Sequence, residues 1–533
     1  MRSNSEVLDI LNECLQNLED RRRQYAYYLQ KYYDNVCENL LKKYIGIVIS
    51  LIYSSKNVVF DYYKDDEEEP LNDLEKKFRS VIQDRFNTDK IGLRLYAELE
   101  RALIFGNQFL KIYPTAKKVE IETVYPHEIG VRYTTIPEMD DPAQAVCHIK
   151  YVPYDILKKQ YPEDLINSAL VTEKELGLLD DILEKPLTLY GSTQGFFYSP
   201  LGENELMKIM DQHGTSKLVK VYELWVWEDD IIDKSSVLEE KRISDYYMYT
   251  IINDTVVNKG LNPCVAGRLP FVNICLSPMS KNFWGMSDLF YLLYLQEMVN
   301  KNQKRGDKVM DLLSDPPVIL SGITTSEIAE ENKQKLKQPG SVINIPGEDI
   351  KMEEHLPKLD PRIAYEVKNL YERAFIGVSG LNDVLMGEAP KNVRSAGQHH
   401  MLANFASAPL VSKALNLESA IEEIMLLYAQ SYQIIHFNKY GMLDNYRIKI
   451  NSHSASPIAQ SQDMGMIFEL AKMGMIPPTL LIELLPVPRK NDILVYLREK
   501  EAMQAQIIRE HPEILEKQME AQIKAAARHG KKK

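Results

Sequence analysis

Lys301, Lys304, Arg305 and Lys308 follow i, i+3, i+4, i+7 spacing, which on a helix gathers four cations onto one face. The chemistry open to such a face is anion binding. Repeated by symmetry in an assembly, it becomes a ring of positive charge facing a polyanion. The competing reading is a solvated face that pairs with its own acids, Asp307 and Asp311. Covalent chemistry finds little support elsewhere. The chain has no Gly-x-x-x-x-Gly-Lys-Ser/Thr, and His529-Gly-Lys-Lys lacks both the spacing and the strand of a phosphate-binding loop. His127-Glu128 offers no second ligand one helical turn on, and adjacent His399 and His400 point about 100° apart on a helix, so neither makes a zinc site. Gly377-Val-Ser-Gly380 is one residue short of a nucleophile elbow and sits at a helix end. Asp140-Asp141 and Asp229-Asp230 lie in turn-like contexts, whereas a two-metal nuclease needs several acids converging on one site. The expectation is a protein without catalytic residues, metal or cofactor.

The elements that must position the cations are legible from periodicity. Gly285 to Val299 is crowded with apolar residues, and Asn300 to Lys308 then has no apolar side chain. A helix from Ser287, as N-cap, to Ser314 is predicted, stopped by Asp315-Pro-Pro317. A helix polar all round needs water or polar neighbours on every side, which the wall of a hydrated channel would supply. Val318–Leu320 and Ser341–Ile345 read as short strands around a polar helical patch. Asp360-Pro361 opens a second helix whose Ile363, Val367, Leu370, Ala374 and Val378 form one apolar stripe, with Ala364, Tyr371 and Phe375 beside it. After a loop from Leu381 to Arg394, a long helix runs from about Ser395 to Phe437, and Pro409 is expected to kink it.

Upstream, residues 1–56 carry helical spacing in Leu8, Leu11, Leu15 and Leu18 and then a Tyr-rich stretch; a second amphipathic helix pattern covers Leu71 to Ile104. Between 105 and 280 the period shortens to two. Phe109–Tyr113, Val119–Tyr125, Gly130–Tyr133, Ala145–Tyr151, Lys217–Glu228 and Tyr246–Val257 read as strands. Thr188–Gly202 and the acidic run Asp65–Glu69 read as loops. Tyr446–Asn451 is a further short strand, followed by helices at Met464–Met473 and Pro478–Leu485 and a mildly basic tail from Arg489.

With 533 residues, two to four packing units are expected, and a hydrophobic fraction of 45% is enough for a sizeable core. The longest apolar run, Tyr44–Tyr53, is about half the ~20 residues of a membrane-spanning helix, and the first residues lack the apolar stretch of a signal peptide, so synthesis in the cytosol is expected. Five scattered cysteines, Cys14, Cys37, Cys147, Cys264 and Cys275, suit reduced thiols rather than a disulfide frame. A net charge of −12 argues against a tight grip on nucleic acid, because affinity for phosphates comes from Lys and Arg releasing counterions. It does not prevent DNA from passing. Tyrosines outnumber phenylalanines 31 to 14, which fits a large subunit interface or simple compositional drift.

The order of elements resembles the portal proteins of tailed bacteriophages over about residues 90–485. The pieces that carry it are Phe105-Gly-Asn-Gln-Phe-Leu-Lys-Ile-Tyr-Pro114, Leu269-Pro-Phe-Val272, Phe283-Trp-Gly-Met-Ser-Asp-Leu289, Gln296-Glu-Met-Val-Asn300, Asp315-Pro-Pro-Val318, and Gly377-Val-Ser-Gly-Leu381 followed by Gly387 and Ser395-Ala-Gly397. The Tyr-rich start and the basic tail match nothing in that family.

What the resemblance implies is an α+β, mainly helical fold with wing, stem, clip and crown, assembled as a cyclic ring, usually of twelve subunits, at one capsid vertex. Residues 1–284 would be the wing region, 285–314 the first stem helix, 315–359 the clip and 360–379 the second stem helix. Residues 380–395 would be the tunnel loop, 396–455 a long wing helix with a short strand, and 456–533 the crown and tail. Double-stranded DNA would pass through the ring during packaging and ejection, beside Lys301, Lys304, Arg305, Lys308, Lys391 and Arg394. The clip, with Pro316, Pro317, Gly322, Lys333, Lys335 and Lys337, would dock the terminase large subunit and later head-tail adaptor or tail proteins. The major capsid protein and a scaffolding protein would be further partners, in a virion assembled in the host cytoplasm, with no membrane and no cofactor. The alternatives are a channel-less capsid or scaffold assembly protein and, less favoured, a metal-dependent nuclease.

Overall fold

The computed structural model describes residues 2–16, 18–33, 39–55, 58–64, 73–171, 218–233, 241–316, 318–321, 342–345, 351–354, 360–381, 396–437 and 446–450, together with the single positions 455, 471, 473 and 481. In chain order the helices are α1 (Asn4–Leu15), α2 (Leu18–Tyr33), α3 (Leu40–Ile52), α4 (Asp73–Thr88), α5 (Ile91–Phe105), α6 (Tyr154–Leu157), α7 (Glu163–Ser168), α8 (Leu293–Ser314), α9 (Pro361–Ser379) and α10 (Ala396–Ile435). The strands are β1 (Phe60–Lys64), β2 (Gln108–Pro114), β3 (Val119–Val124), β4 (Ile129–Val131), β5 (Ala145–Pro153), β6 (Leu218–Asp233), β7 (Lys241–Ile252), β8 (Thr255–Leu261), β9 (Phe271–Ile274), β10 (Val318–Ser321), β11 (Val342–Ile345), β12 (Lys351–Glu354) and β13 (Tyr446–Ile450). The class is α+β, with predominantly antiparallel sheets.

Two sheets organise the region before α8. A five-stranded antiparallel meander, β4-β5-β6-β7-β8, buries Ala145, Cys147, Ile149, Leu224, Val226 and Tyr249 on one face under the Val7, Ile10, Leu11 and Cys14 stripe of α1. Its other face packs Val146 and Trp225 against Phe109, Phe271 and Phe283. Strict alternation along β5 and β6 sends neighbouring residues to opposite faces, so one strand feeds both cores. The smaller sheet, β3-β2-β9, lies against α5, α3 and α10 in the largest core, which contains Leu95, Leu99, Leu110, Ile112, Val272, Leu417, Ile421 and Ile424.

Several sequence expectations are corrected. Tyr246–Val257 is not one strand: Asn253 and Asp254 both have positive φ (45° and 55°) and make the two-residue turn between β7 and β8. Leu71–Ile104 divides into α4 and α5 at Lys90, whose positive φ (55°) interrupts the helix. The tyrosine surplus is spent partly inside the chain. Tyr25, Tyr28, Tyr32, Tyr44, Tyr53, Tyr246, Tyr247, Tyr249, Tyr428 and Tyr432 are buried. Many of these hydroxyls find partners: Tyr32 donates to Glu100 (2.9 Å), Tyr53 to the Gly92 carbonyl (2.8 Å), and Tyr428 to Asp89. The long helix expected from about Ser395 to Phe437 is present as α10, Ala396 to Ile435. The helices expected at 464–473 and 478–485 lie outside the described residues, apart from single positions.

Candidate nucleic-acid interface

α8 begins at Leu293, not at Ser287. The reason lies in the junction beneath it. The Ser287 hydroxyl donates to the Ile104 carbonyl (2.5 Å) and accepts from the Leu289 amide (3.1 Å), and the Asp288 amide donates to the Leu103 carbonyl (3.0 Å). Residues 285–292 are therefore tied across to the end of α5 before a helix can start. Asn107 adds to this tie, its Oδ1 accepting the Gly285 amide (2.6 Å). Gly106 and Gly285 pass so closely that a Cβ on Gly106 would lie 2.4 Å from the Gly285 carbonyl oxygen. The sequence pieces Phe105–Pro114, Leu269–Val272 and Phe283–Leu289 thus meet in one junction, closed by Phe109 and Phe283 stacked at 6.1 Å.

Asp288 then fixes the root of α8 in place. Its Oδ2 accepts from the Tyr44 hydroxyl of α3 (2.9 Å) and its Oδ1 from the Lys413 ammonium of α10 (2.5 Å), which also reaches Ser277 (2.6 Å). The Asp288 side chain is 6% exposed and that of Lys413 16%. Tyr44 also packs edge-on against Phe375 of α9, at 6.5 Å. The root of α8 therefore lies beside the C-terminal end of α9, while Gly306 further along α8 meets Tyr365 near the start of α9. The two helices run antiparallel.

The expectation for Asn300–Lys308 was water or polar neighbours on every side, and on one side the neighbour is α9, whose Tyr365 hydroxyl bonds Asp307. Gly306 and Asn302 are buried, Asn302 donating to the Met298 carbonyl (2.8 Å), and a small residue at 306 lets the Tyr365 ring approach. One side of the polar segment is covered by α9. The opposite side is the cationic one: at about 100° per residue, Lys301, Lys304, Arg305 and Lys308 fall away from Gly306, and all four are exposed. They line a groove of about 480 Å³ with Lys31, Leu293, Gln296, Glu297 and Asn300. Lys31, from α2, pairs with Glu297 at 2.5 Å. Gln296 is 2% exposed and holds the groove floor, accepting the Leu40 amide (2.9 Å) and donating to Asn300 (3.0 Å).

Asp307, one of the two acids that the competing reading pairs with this face, is engaged otherwise. It accepts from Gln303 (2.7 Å) and from the Tyr365 hydroxyl (3.1 Å). Among the described residues none of the four α8 cations makes an ion pair. Four like-charge contacts at i+3 and i+4 destabilise the helix by roughly 0.2–0.5 kcal/mol each, a cost that a bound anion relieves. Sequence spacing found the four cations; Lys31 was missed, because only the packing of α2 beside α8 brings it there, and Gln296, on α8 itself in the same i, i+4 row as Asn300 and Lys304, was legible from spacing but not singled out.

Of the other expected site residues, Pro316 is half-buried just beyond α8, and Pro317, Gly322, Lys333, Lys335, Lys337, Lys391 and Arg394 lie outside the described residues. Cys14 and Cys147 are buried free thiols, Cys264 and Cys275 are half-buried, and burial pushes the Cys14 thiol up to about 12. His127 is stacked on Tyr125 at 5.2 Å, and burial beside Arg22 holds it near 3. Ser379 donates to the Ile376 carbonyl (2.9 Å) at the end of α9. Asp140 caps the Leu269 amide (2.9 Å) and Asp141 the Ala143 amide (2.7 Å). Among the described residues no His, Cys, Asp and Glu group is arranged to hold a metal, and no helix is long and apolar enough to cross a membrane.

No family model matches the chain, and no curated protein matches it. Among solved structures, the virion of a native gene transfer agent (GTA) particle contains a chain similar over 87% of this chain and 93% of that one, with 10% identity and a TM-score of 0.38. A likeness that distant leaves the functional reading to the geometry of the chain itself.

Proposed function

We propose that this chain is the subunit of a ring-shaped portal in a phage-type virion, a passive conduit through which double-stranded DNA is packaged and ejected. The observation that carries the reading is the cationic face of α8: exposed, without ion pairs among the described residues, and set opposite the face that packs on α9, in a chain of net charge −12. A DNA-conducting wall needs this balance. Each phosphate that a cation neutralises strengthens binding through counterion release, so a surface that lets DNA slide carries few cations on an acidic body. In this reading the chain breaks no bond; an ATP-driven terminase docks on residues 315–359 and does the work, and adaptor or tail proteins follow it there. Ring formation at a capsid vertex and contacts with capsid and scaffolding proteins belong to the same proposal.

The test has two arms. Negative-stain images of the purified protein are expected to show rings with a central hole; monomers alone at high concentration overturn the reading. Replacing Lys301, Lys304, Arg305 and Lys308 together with Glu is expected to leave ring formation intact and to impair DNA packaging or retention. Unchanged packaging removes the cationic face from the mechanism.

A further inference from the structure

The apolar stripe predicted on α9 is present, and it faces away from its own chain. Ile363, Leu370 and Val378 are 57%, 61% and 55% exposed. The side of α9 that packs on α8 is instead the one carrying Tyr365 and Phe375, with Lys368 and Glu372 paired along it at 3.1 Å. A Cβ placed on Gly377 meets nothing within 4 Å. The outward seam is Ile363, Val367, Leu370, Ala374 and Gly377, alternating steps of four and three residues, which is the mean 3.5-residue spacing of a two-helix seam.

We propose that this face of α9 docks on the same face of a second copy, antiparallel, as a weak two-fold dimer. The charge pattern selects that arrangement. Glu366 and Arg373 border the seam on one edge, both exposed, and neither makes an ion pair among the described residues. In an antiparallel pair centred between Lys368 and Asn369, Val367 meets Leu370 of the second copy and Ile363 meets its Ala374, so large side chains face smaller ones. In that register Glu366 comes opposite Arg373 of the second copy, and the two-fold makes the same pair again. A parallel pair sets Glu366 beside Tyr371 and forms no such bridge. The cationic face of α8 lies on the far side of the helix pair, so this approach keeps like charges apart.

The seam spans roughly 22 Å at 1.5 Å per residue, well short of a standard interface, so the dimer is concentration-dependent. A two-fold contact closes at two copies, whereas a ring requires a head-to-tail one. The pair is thus not a ring's own subunit contact, and it stands independently of the conduit reading.

Sedimentation of the full chain, in the ring-free fraction across the micromolar range, tests it. Glu366→Arg alone and Arg373→Glu alone each turn two attractions into two repulsions and are expected to weaken self-association about tenfold or more. The double variant restores the pair with signs exchanged and is expected to associate nearly as the native chain does. Leu370→Asp is expected to abolish the dimer, with circular dichroism confirming that each variant folds. Single reversals that leave association unchanged, a double variant as weak as the singles, or a chain that is monomeric throughout overturn the proposal. Rings without any dimer overturn it while leaving the conduit reading intact; a dimer without rings does the reverse.

Discussion

The crossing of α8 and α9 can be tested by one methyl group. A Cβ on Gly306 would lie 2.8 Å from both Cε1 and Cζ of Tyr365 and 3.3 Å from Cδ1. Ordinary contact requires the ring to retreat by about 0.7 Å, and Tyr365 is held to α8 by its hydrogen bond to Asp307, the residue beside Gly306 (3.1 Å). Overpacking of this kind costs about 1–3 kcal/mol. Against it stands the gain of replacing glycine by alanine within a helix, about 1 kcal/mol. Gly306→Ala is therefore expected to be neutral to about 2 kcal/mol destabilising. Gly377→Ala in α9 supplies the control: no atom lies within 4 Å of the added methyl, so the helical gain of about 1 kcal/mol is expected undiminished. Urea unfolding of the full chain at low concentration reads both. Combining Gly306→Ala with Tyr365→Ala removes the collision, and in that background the alanine at 306 is expected to stabilise. If Gly306→Ala stabilises the native chain as much as Gly377→Ala does, the two helices do not approach as described, and the placement of the cationic face opposite that contact falls with it.

Two further outcomes follow from the buried charges. Asp288→Asn strands the Lys413 ammonium and is expected to lower stability by about 2–4 kcal/mol, discounted for the partial exposure of Lys413, whereas Asp288→Asn with Lys413→Met recovers most of the loss in a double-mutant cycle. His148 is buried beside Lys111 and Lys150, and desolvation holds it down at about 4 from an ordinary 6.5. Because the folded state resists its protonation and the unfolded state does not, the stability it contributes is present above pH 6.5 and drains away as pH falls through 4. Glu128 and Glu423, raised by burial to about 7, act in the opposite sense in an overlapping window, their contribution being lost as pH rises through 7. The difference between the native chain and His148→Gln isolates the histidine: between pH 7 and 4.5 it is expected to narrow by about 2 kcal/mol in denaturant titrations. A constant difference refutes the buried neutral imidazole.

Much of the element order was legible because it rests on local periodicity. The period-two runs became β2, β3, β5 and β6, and Asp360-Pro361 starts α9 with the Asp360 side chain capping the Arg362 amide at 2.9 Å. The four cations also hold the shared face that their spacing assigned. What failed was whatever depended on a distant partner. Ser287 looks like an N-cap to a local reading and does accept the Leu289 amide, yet it also donates to Ile104 across the junction, and α8 starts six residues later. The apolar stripe of α9 was legible, but not that α8 covers the other side of the helix and leaves it exposed.

The sequence by itself determined where helices and strands can form, and that Lys301 to Lys308 share a face, since both follow from covalent spacing along one strand or one helix. Tertiary structure alone decided which face of each helix is covered, that Lys31 joins the groove, and that Asp288 binds three elements together. Those outcomes depend on contacts between residues distant in the chain, 58 positions for Asp307 and Tyr365 and 244 for Tyr44 and Asp288, and periodicity carries no information about which of two amphipathic surfaces finds a partner first.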